Sequence, residues 1–438
     1  MNNILIQNAI LVTMDRDRPQ WFTGDLLVEN NIITRIVKRP EKIVNVNNAT
    51  VLNGDNYLFM PGLINTHGHA AMTLFRGYAD DLSLKEWLED KIWPIEEHLN
   101  DEDVYWGTML AACEMLKGGT TTFTDMYFFM DRAADAAADS GIRAVLSRGM
   151  IGIGESAEIG LTETKRLIEE RHGTENGRLN VILGPHAPYT CPPEFLKRVL
   201  NLAEETGRPL NIHLSETKNE VDESYATYGK SPIELVNEIG LFNYHVLAAH
   251  CVHLSELDLE ILAENNVGVA HNPVSNLKLG SGIARVADML RRGIVVGIGT
   301  DGVSSNNNLD MIEEMRTAAL LQKGVRMDPA LISAETALQM ATINGAKVLH
   351  LEKVGMLKEG WKADIIGLNI KKPHLVPLHN PLAHIVYSAS ASDVEYVIVD
   401  GSLLLDKGEM KLMDEEKILK EASKHAQNLV EATKRNKG

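Results

Sequence analysis

Leu58-Phe59-Met60-Pro61-Gly62-Leu63-Ile64-Asn65-Thr66-His67-Gly68-His69 decides how the rest of the chain is read. An apolar, strand-like run ends in two histidines separated by one residue. Residues two apart on a strand point to the same side, so both imidazoles reach one ion from a strand end. In a chain with 15 histidines the pair alone carries little. Its weight comes from later strand-like runs, which also end in candidate ligands. The run points to a metal-dependent enzyme.

Downstream of it, short β-rich runs alternate with helical stretches, the pattern of a parallel α/β architecture. The runs fall at 61–66, 120–125, 142–148, 180–185, 209–213, 245–250, 267–271 and 294–300. Eight strands with intervening helices fit a (β/α)8 TIM barrel, whose usual size is about 250 residues. Asp103 to Leu116 carries apolar residues at helical spacing and stops at Gly118-Gly119. Residues 3–13 and 25–37 instead alternate apolar and polar positions, with Asn30-Asn31 as the hairpin turn. Strand-like pieces return after 350, at Ala363-Asp364-Ile365-Ile366 and from Val394 to Val399. The simplest assembly pairs both chain ends in a small discontinuous β-sandwich domain over 1–57 and 352–438, which leaves 58–351 to the barrel. A charged helix closes the chain over 415–435.

The balance of 43 basic against 60 acidic side chains gives −17, which disfavours nucleic acid as a partner. No stretch approaches the roughly 20 apolar residues that span a bilayer, so no membrane role is expected. Met1-Asn2-Asn3-Ile4-Leu5 shows no basic region followed by an apolar core and cleavage site, so export is not expected. Cys113, Cys191 and Cys251 are widely spaced and odd in number, which suggests neither a disulfide framework nor a zinc knuckle. A cytoplasmic enzyme is expected, and a homo-oligomer is compatible with the sequence.

Barrel enzymes carry their chemistry where the strands finish. Here the first strand gives His67 and His69, the third Arg148, the fourth His186 and the fifth His213. The sixth gives His250, the seventh His271-Asn272 and the eighth Asp301. Asn211-Ile212-His213-Leu214-Ser215-Glu216 adds a carboxylate three residues beyond a histidine. Val296-Gly297-Ile298-Gly299-Thr300-Asp301 ends a Gly-rich strand in an aspartate. Taken alone, Asp301 reads equally as a helix N-cap, and the two glycines as barrel packing.

These residues resemble the amidohydrolase superfamily over most of the chain. The entry Pro61-Gly62-Leu63-Ile64-Asn65-Thr66-His67-Gly68-His69, the histidines ending strands five and six, and the aspartate ending strand eight all match its pattern. Within the superfamily, Ala71 to Asp81, Trp93-Pro94-Ile95-Glu96, Gly184 to Tyr189, His213 to Thr217 and Thr300-Asp301-Gly302 resemble the branch that deaminates 5′-substituted adenosines. The strand-four run Val181-Ile182-Leu183-Gly184-Pro185-His186 offers no lysine to bridge two metals, so the resemblance implies one divalent ion. The His-x-Glu plus Pro-Cys-x-x-Cys zinc site of cytidine deaminases is absent.

The resemblance implies His67, His69, His213 and Asp301 as metal ligands. Zinc suits such donors, with Fe2+, Ni2+ and Mn2+ as the other candidates. It implies Glu216 as proton shuttle, Asp301 as acceptor of the water proton, and His250 as stabiliser of the tetrahedral centre. A nucleoside substrate would meet Glu96 at its ribose hydroxyls, His186 at ribose or base, and Arg148 at the carboxylate of an amino-acid tail. Glu216 and Asp301 would also contact it. Met72, Phe75, Trp87 and Trp93 are candidates for an apolar wall. Other single-metal reactions on nitrogen heterocycles, guanine deamination or triazine dechlorination, remain open alternatives, as does a scaffold without activity.

Overall fold

The structure, a computed structural model, describes residues 3–44 and 46–436. Met1, Asn2, Asn45, Lys437 and Gly438 lie outside the described residues. Eight parallel strands form the central body: Leu63–Asn65, Thr120–Tyr127, Arg143–Met150, Leu179–Val181 continued by Gly184–Pro185, Leu210–Leu214, Val246–His250, Gly268–His271 and Val296–Ile298. Each pairs with the next in chain order. The eighth returns to the first at Ile298↔Asn65, and a bridge between Leu183 and Leu210 joins the fourth to the fifth. The sheet therefore closes into a barrel, and each expected run falls on its strand.

The strands are buried on both faces, as βαβ crossovers require. Ile64, Val145, Leu247 and Ala270 belong to a core cluster inside the barrel, sealed from below by Ala346, Val348 and Val354. Their neighbours on the other face pack into the larger cluster shared with the helices. The first long crossover helix, Asp101–Lys117, starts where Asn100 accepts hydrogen bonds from the Glu102 and Asp103 amides. It stops at Gly118-Gly119, Gly119 being left-handed at φ 86°. Such a backbone favours glycine.

The apolar run from Leu58 to Thr66 is two strands. Tyr57–Pro61 pairs antiparallel with Ile365–Asn369 and parallel with residues 10–11, in a second, nine-stranded sheet. Leu63–Asn65 enters the barrel after Gly62. A Cβ on Gly62 would stand 2.0 Å from Thr121 Oγ1, so only glycine turns the chain there. The second sheet also holds Asn3–Val12, Trp21–Glu29, Ile32–Lys38, Ala49–Asn53, Val394–Val399, Ser402–Asp406 and Glu409–Met410. Asn30, at φ 58°, makes the expected hairpin turn. The sheet bends back on itself, since Ile33 N donates to Trp361 O and Ala363 N to Asn31 O. Phe22, Leu26, Phe59, Ile365 and Ile398 fill its core.

A buried ion network joins this sheet to the barrel. Arg143, at the start of the third barrel strand, bonds Asp364 through Nε (2.7 Å) and Nη2 (3.0 Å), and Asp400 through Nη2 (3.1 Å). The helix Glu415–Asn436 packs on Asp101–Lys117, with a His425–Asp103 contact of 2.6 Å. Among the described residues no helix is long and apolar enough to cross a membrane.

Candidate active site

Backbone bonds at the first strand's end set the position of both opening histidines. Thr66 N donates to Ile298 O on one side, and Met126 N donates to Gly68 O on the other. Asn65 locks the eighth strand's exit by donating to Thr300 Oγ1 (2.7 Å) and accepting from Thr300 N (3.0 Å). The chains approach so closely that a Cβ on Gly299 would lie 2.8 Å from His67 N. Gly297 is equally tight, since a Cβ there would lie 2.7 Å from Thr66 Cγ2, and it serves barrel packing.

The imidazoles converge from three strands. The His67 ring lies 5.0 Å from that of His69, 4.7 Å from His213 and 5.3 Å from His250, centroid to centroid. The side chain of His69 bonds Met126 O through Nδ1 (2.7 Å), and that of His213 bonds His186 O in the same way (2.7 Å). Both carbonyls require the proton on Nδ1, which turns each Nε2 towards the site. Burial lowers the His69 imidazole, but the facing Asp301 carboxylate outweighs it and lifts it to about 9, a proton that a metal ion would displace. Asp301 Oδ1 sits 3.5 Å from His67 Nε2 and 3.2 Å from His69 Nε2.

His67 is fully buried with neither ring nitrogen hydrogen-bonded. An orphaned buried imidazole is expensive unless something binds it. The candidate ligand atoms of His67, His69 and His213 lie within 4.8 Å of one another, as do those of His67, His250 and Asp301. Imidazole nitrogens and one carboxylate, with carbonyls fixing two tautomers, are the donor set of a divalent transition-metal site. Burial drives the His67 imidazole down to about 4, keeping it neutral and ligand-competent.

Asp301 is no helix cap. It sits at φ 60°, and its Oδ2 accepts from Ser275 Oγ (2.6 Å) and Ser305 Oγ (2.9 Å), which aims Oδ1 at the histidines. Burial opposes its charge, but the facing imidazoles of His67 and His69 outweigh it and hold the carboxyl well below the usual range. His250 Nδ1 bonds Asn276 Oδ1 (2.9 Å). Glu216 Oε1 lies 3.9 Å from the same nitrogen and 3.5 Å from Ser281 Oγ. Burial pushes the Glu216 carboxyl up, the direction that suits a proton donor.

One cavity joins His69, His186, His213, His250, Glu216, Asp301 and Glu96. Met72, Trp87 and Trp93 line it as expected; Phe75 does not, because the 70–75 turn buries it in the core. Residues 84–96 form one continuous helical stretch with a π turn over 87–92, and they supply Leu84, Trp87, Leu88, Trp93 and Glu96 to the wall. Tyr127 Oη donates to Glu96 Oε1 at 2.5 Å. Burial raises Glu96 to about 7 against that bond. His186 Nδ1 donates to Thr190 Oγ1 (2.8 Å), whose own proton goes to Ala187 O, so Nε2 is an acceptor.

Arg148 lies elsewhere. Its Nε bonds Glu163 (2.6 Å), its guanidinium stacks 4.9 Å over Phe128, and it lines a separate cleft with Asp131 and Arg166. Gly149, not Arg148, carries the third strand to the cavity wall. His253 bonds Ser281 O (2.6 Å) beside a second chamber, and His271 is buried with both nitrogens unbonded. Sequence reasoning missed Tyr127, Ser275 and Asn276, which act through hydrogen bonds between distant segments, and Ser305, which reaches Asp301 from four residues further along the same turn.

A closed barrel whose strand ends bring imidazoles and carboxylates to one point defines a metal-dependent barrel hydrolase. The chain belongs to the amidohydrolase family, whose model matches residues 58–404. It is 53% identical over 429 residues to a 5-methylthioadenosine/S-adenosylhomocysteine deaminase of Dictyoglomus turgidum, covering 98% of this chain and 99% of that one. It is 49% identical over 433 residues to a 5′-deoxyadenosine deaminase of Methanosarcina mazei, with the same coverage. Its fold matches the crystal structure of an adenosine deaminase from Xanthomonas campestris with bound zinc, at a TM-score of 0.93 and 32% identity, covering 97% of this chain and 98% of that one.

Proposed function

We propose that this chain hydrolyses the adenine 6-amino group of 5′-methylthioadenosine and S-adenosylhomocysteine, with adenosine and 5′-deoxyadenosine as related substrates. The products are the inosine derivative and ammonia. One observation carries the reading: a buried carboxyl with a raised pKa, Glu216, shares a cavity with the converging imidazoles, Asp301 and the Tyr127-held Glu96. The relatives' activities on the same nucleosides support it.

In this proposal His67, His69, His213 and Asp301 hold one divalent ion. Zinc fits the donor set best, with iron, nickel or manganese as outcomes a metal analysis would separate. When bound, such an ion lowers the pKa of water from about 16 towards about 7. Asp301 takes the proton of the attacking water. Glu216 donates to purine N1 as oxygen adds to C6. As a carboxylate it then takes the proton of the new C6 hydroxyl and passes it to the amine, which leaves as ammonia while C6–O becomes the carbonyl. The proton held by Asp301 restores Glu216. His250, with Nδ1 fixed on Asn276, offers its other nitrogen to the oxygen at the tetrahedral carbon. Glu96 and the His186 Nε2 lone pair accept from ribose hydroxyls.

For Arg148 the proposal is narrower. An amino-acid tail passing Phe128 would bring its carboxylate to the guanidinium and displace Glu163. Arg148→Ala should then lower kcat/KM for S-adenosylhomocysteine more than for methylthioadenosine; equal losses would remove the contact. The expected boundary at 57/58 moves to Gly62, because Tyr57–Pro61 belongs to the second sheet; this division, with the boundary at 351/352, and a cytoplasmic setting belong to the same proposal. The decisive experiment follows adenine absorbance and ammonia release by zinc-loaded protein on methylthioadenosine, S-adenosylhomocysteine, adenosine, 5′-deoxyadenosine, guanine and an s-triazine. Absence of turnover on every adenosine would overturn the reading.

A further inference from the structure

Glu220 is buried two residues into the helix Lys218–Tyr228, behind the turn that carries Glu216. A glutamate at this place normally caps its own helix by accepting from the N-cap amide, here that of Thr217. Glu220 does something else. Its Oε1 accepts from Ser215 N (2.9 Å) and its Oε2 from Glu216 N (2.7 Å), two residues and one residue before the cap. Both oxygens of one carboxylate are thus spent on consecutive amides of the turn. Thr217 Oγ1 completes the arrangement by accepting from Glu220 N (3.2 Å).

The turn needs such a restraint. Ser215 sits in the left-handed region at φ 52°, which residues with a Cβ adopt only when held. Its carbonyl accepts from Val252 N and His253 N, both at 3.0 Å, so the next strand's exit grips the turn from the other side. The two grips together fix where the Glu216 Cα stands relative to His250 and Asp301.

Resting on the reading of Glu216 as proton shuttle, we propose that Glu220 is a positioning residue: its carboxylate clamps the 215–216 turn and thereby aims Glu216 at the reacting purine. Displacing a catalytic group by about 1 Å is enough to cost on the order of 100-fold in rate. Glu220→Gln keeps the shape but presents an NH2 to one of the two amides, so the turn loses half of its clamp.

The test is a double-mutant cycle on zinc-loaded full-length protein with methylthioadenosine, using Glu220→Gln, Glu216→Gln and the pair. Glu220→Gln should lower kcat by about tenfold or more, with KM within about twofold and zinc content unchanged. In the Glu216→Gln background the same substitution should cost almost nothing, because the group it aims is gone. A merely structural role would give equal losses in both backgrounds, and that result overturns the proposal, as does an unchanged kcat in Glu220→Gln. If Glu216→Gln itself leaves turnover intact, the shuttle reading fails first, a separate outcome. Should Glu220→Gln not fold, Glu220→Asp keeps the charge but shortens the side chain by one methylene, so the carboxylate withdraws from the two amides. It should likewise lower kcat only where Glu216 is present, and a loss independent of Glu216 counts against the clamp.

Discussion

Tyr127 and Glu96 show how one hydroxyl tunes a buried acid. Burial lifts the Glu96 carboxyl to about 7, and the Tyr127 hydrogen bond pulls against that rise. Removing the hydroxyl removes a lowering influence, so in Tyr127→Phe the carboxyl titrates at higher pH. More of it is then protonated at neutral pH and less able to accept two ribose hydroxyls. KM for methylthioadenosine should rise several-fold near pH 7 and recover towards pH 9, with kcat moving less; a KM that follows the wild type across this range would refute the assignment. Ser275→Ala takes one of two hydroxyls from Asp301 Oδ2 while leaving Oδ1 untouched. A hydrogen bond to a charged group is worth about 1.5–3 kcal/mol, so kcat should fall by roughly 10- to 100-fold. Zinc stoichiometry should stay near one, and loss of metal would instead make Ser275 part of the binding shell. The histidines and Asp301 that converge here were legible because each stands at a strand end, which a two-residue period or a strand boundary makes visible in sequence, whereas Glu96, on a helical stretch, came only from the resemblance. Tyr127 and Ser275 were not legible. Their partners lie 31 and 26 residues away, and no local period records such a meeting.

At the scale of elements, the eight strands were read nearly to the residue because short apolar runs between helices leave few other solutions. The run from Leu58 to Thr66 misled in one respect: hydrophobicity continues across Gly62, while the hydrogen-bond partners change from one sheet to the other. Composition records burial and not the partner. Gly62→Ala would drive a Cβ into Thr121, whose side chain has nowhere to go inside the strand. Overpacking of this kind costs about 1–3 kcal/mol, and the melting temperature should fall accordingly. An unchanged melting temperature would mean that the two sheets can shift at the turn. The roof over the cavity was the least legible element. Its π turn over 87–92 adds a residue to the helical repeat, so Trp87 and Trp93 reach one cavity at a spacing that a regular helix would not give.

For the whole molecule, the Arg143–Asp364–Asp400 network ties barrel and second sheet through charges removed from water. Asp364→Ala leaves a buried guanidinium short of its bidentate partner, a loss of about 3–5 kcal/mol. Urea unfolding should show it as a lower midpoint, partly restored by adding Arg143→Met; a midpoint equal to wild type would make the network incidental. Removing metal with a chelator should abolish turnover and lower the melting temperature, with both recovered on adding zinc. Recovery of stability without activity would argue against a catalytic ion. The sheet shared by both chain ends has a consequence for synthesis. Tyr57–Pro61 leaves the ribosome with its bonding edge towards 365–369 uncovered, and its partner arrives some 300 residues later. At about 5–20 residues per second, that edge stays open for roughly 15 seconds to a minute. An unpaired apolar strand edge is a template for intermolecular pairing. Newborn chains truncated before residue 365 should therefore be the form that aggregates or recruits chaperones, whereas the finished protein presents no such edge at this strand.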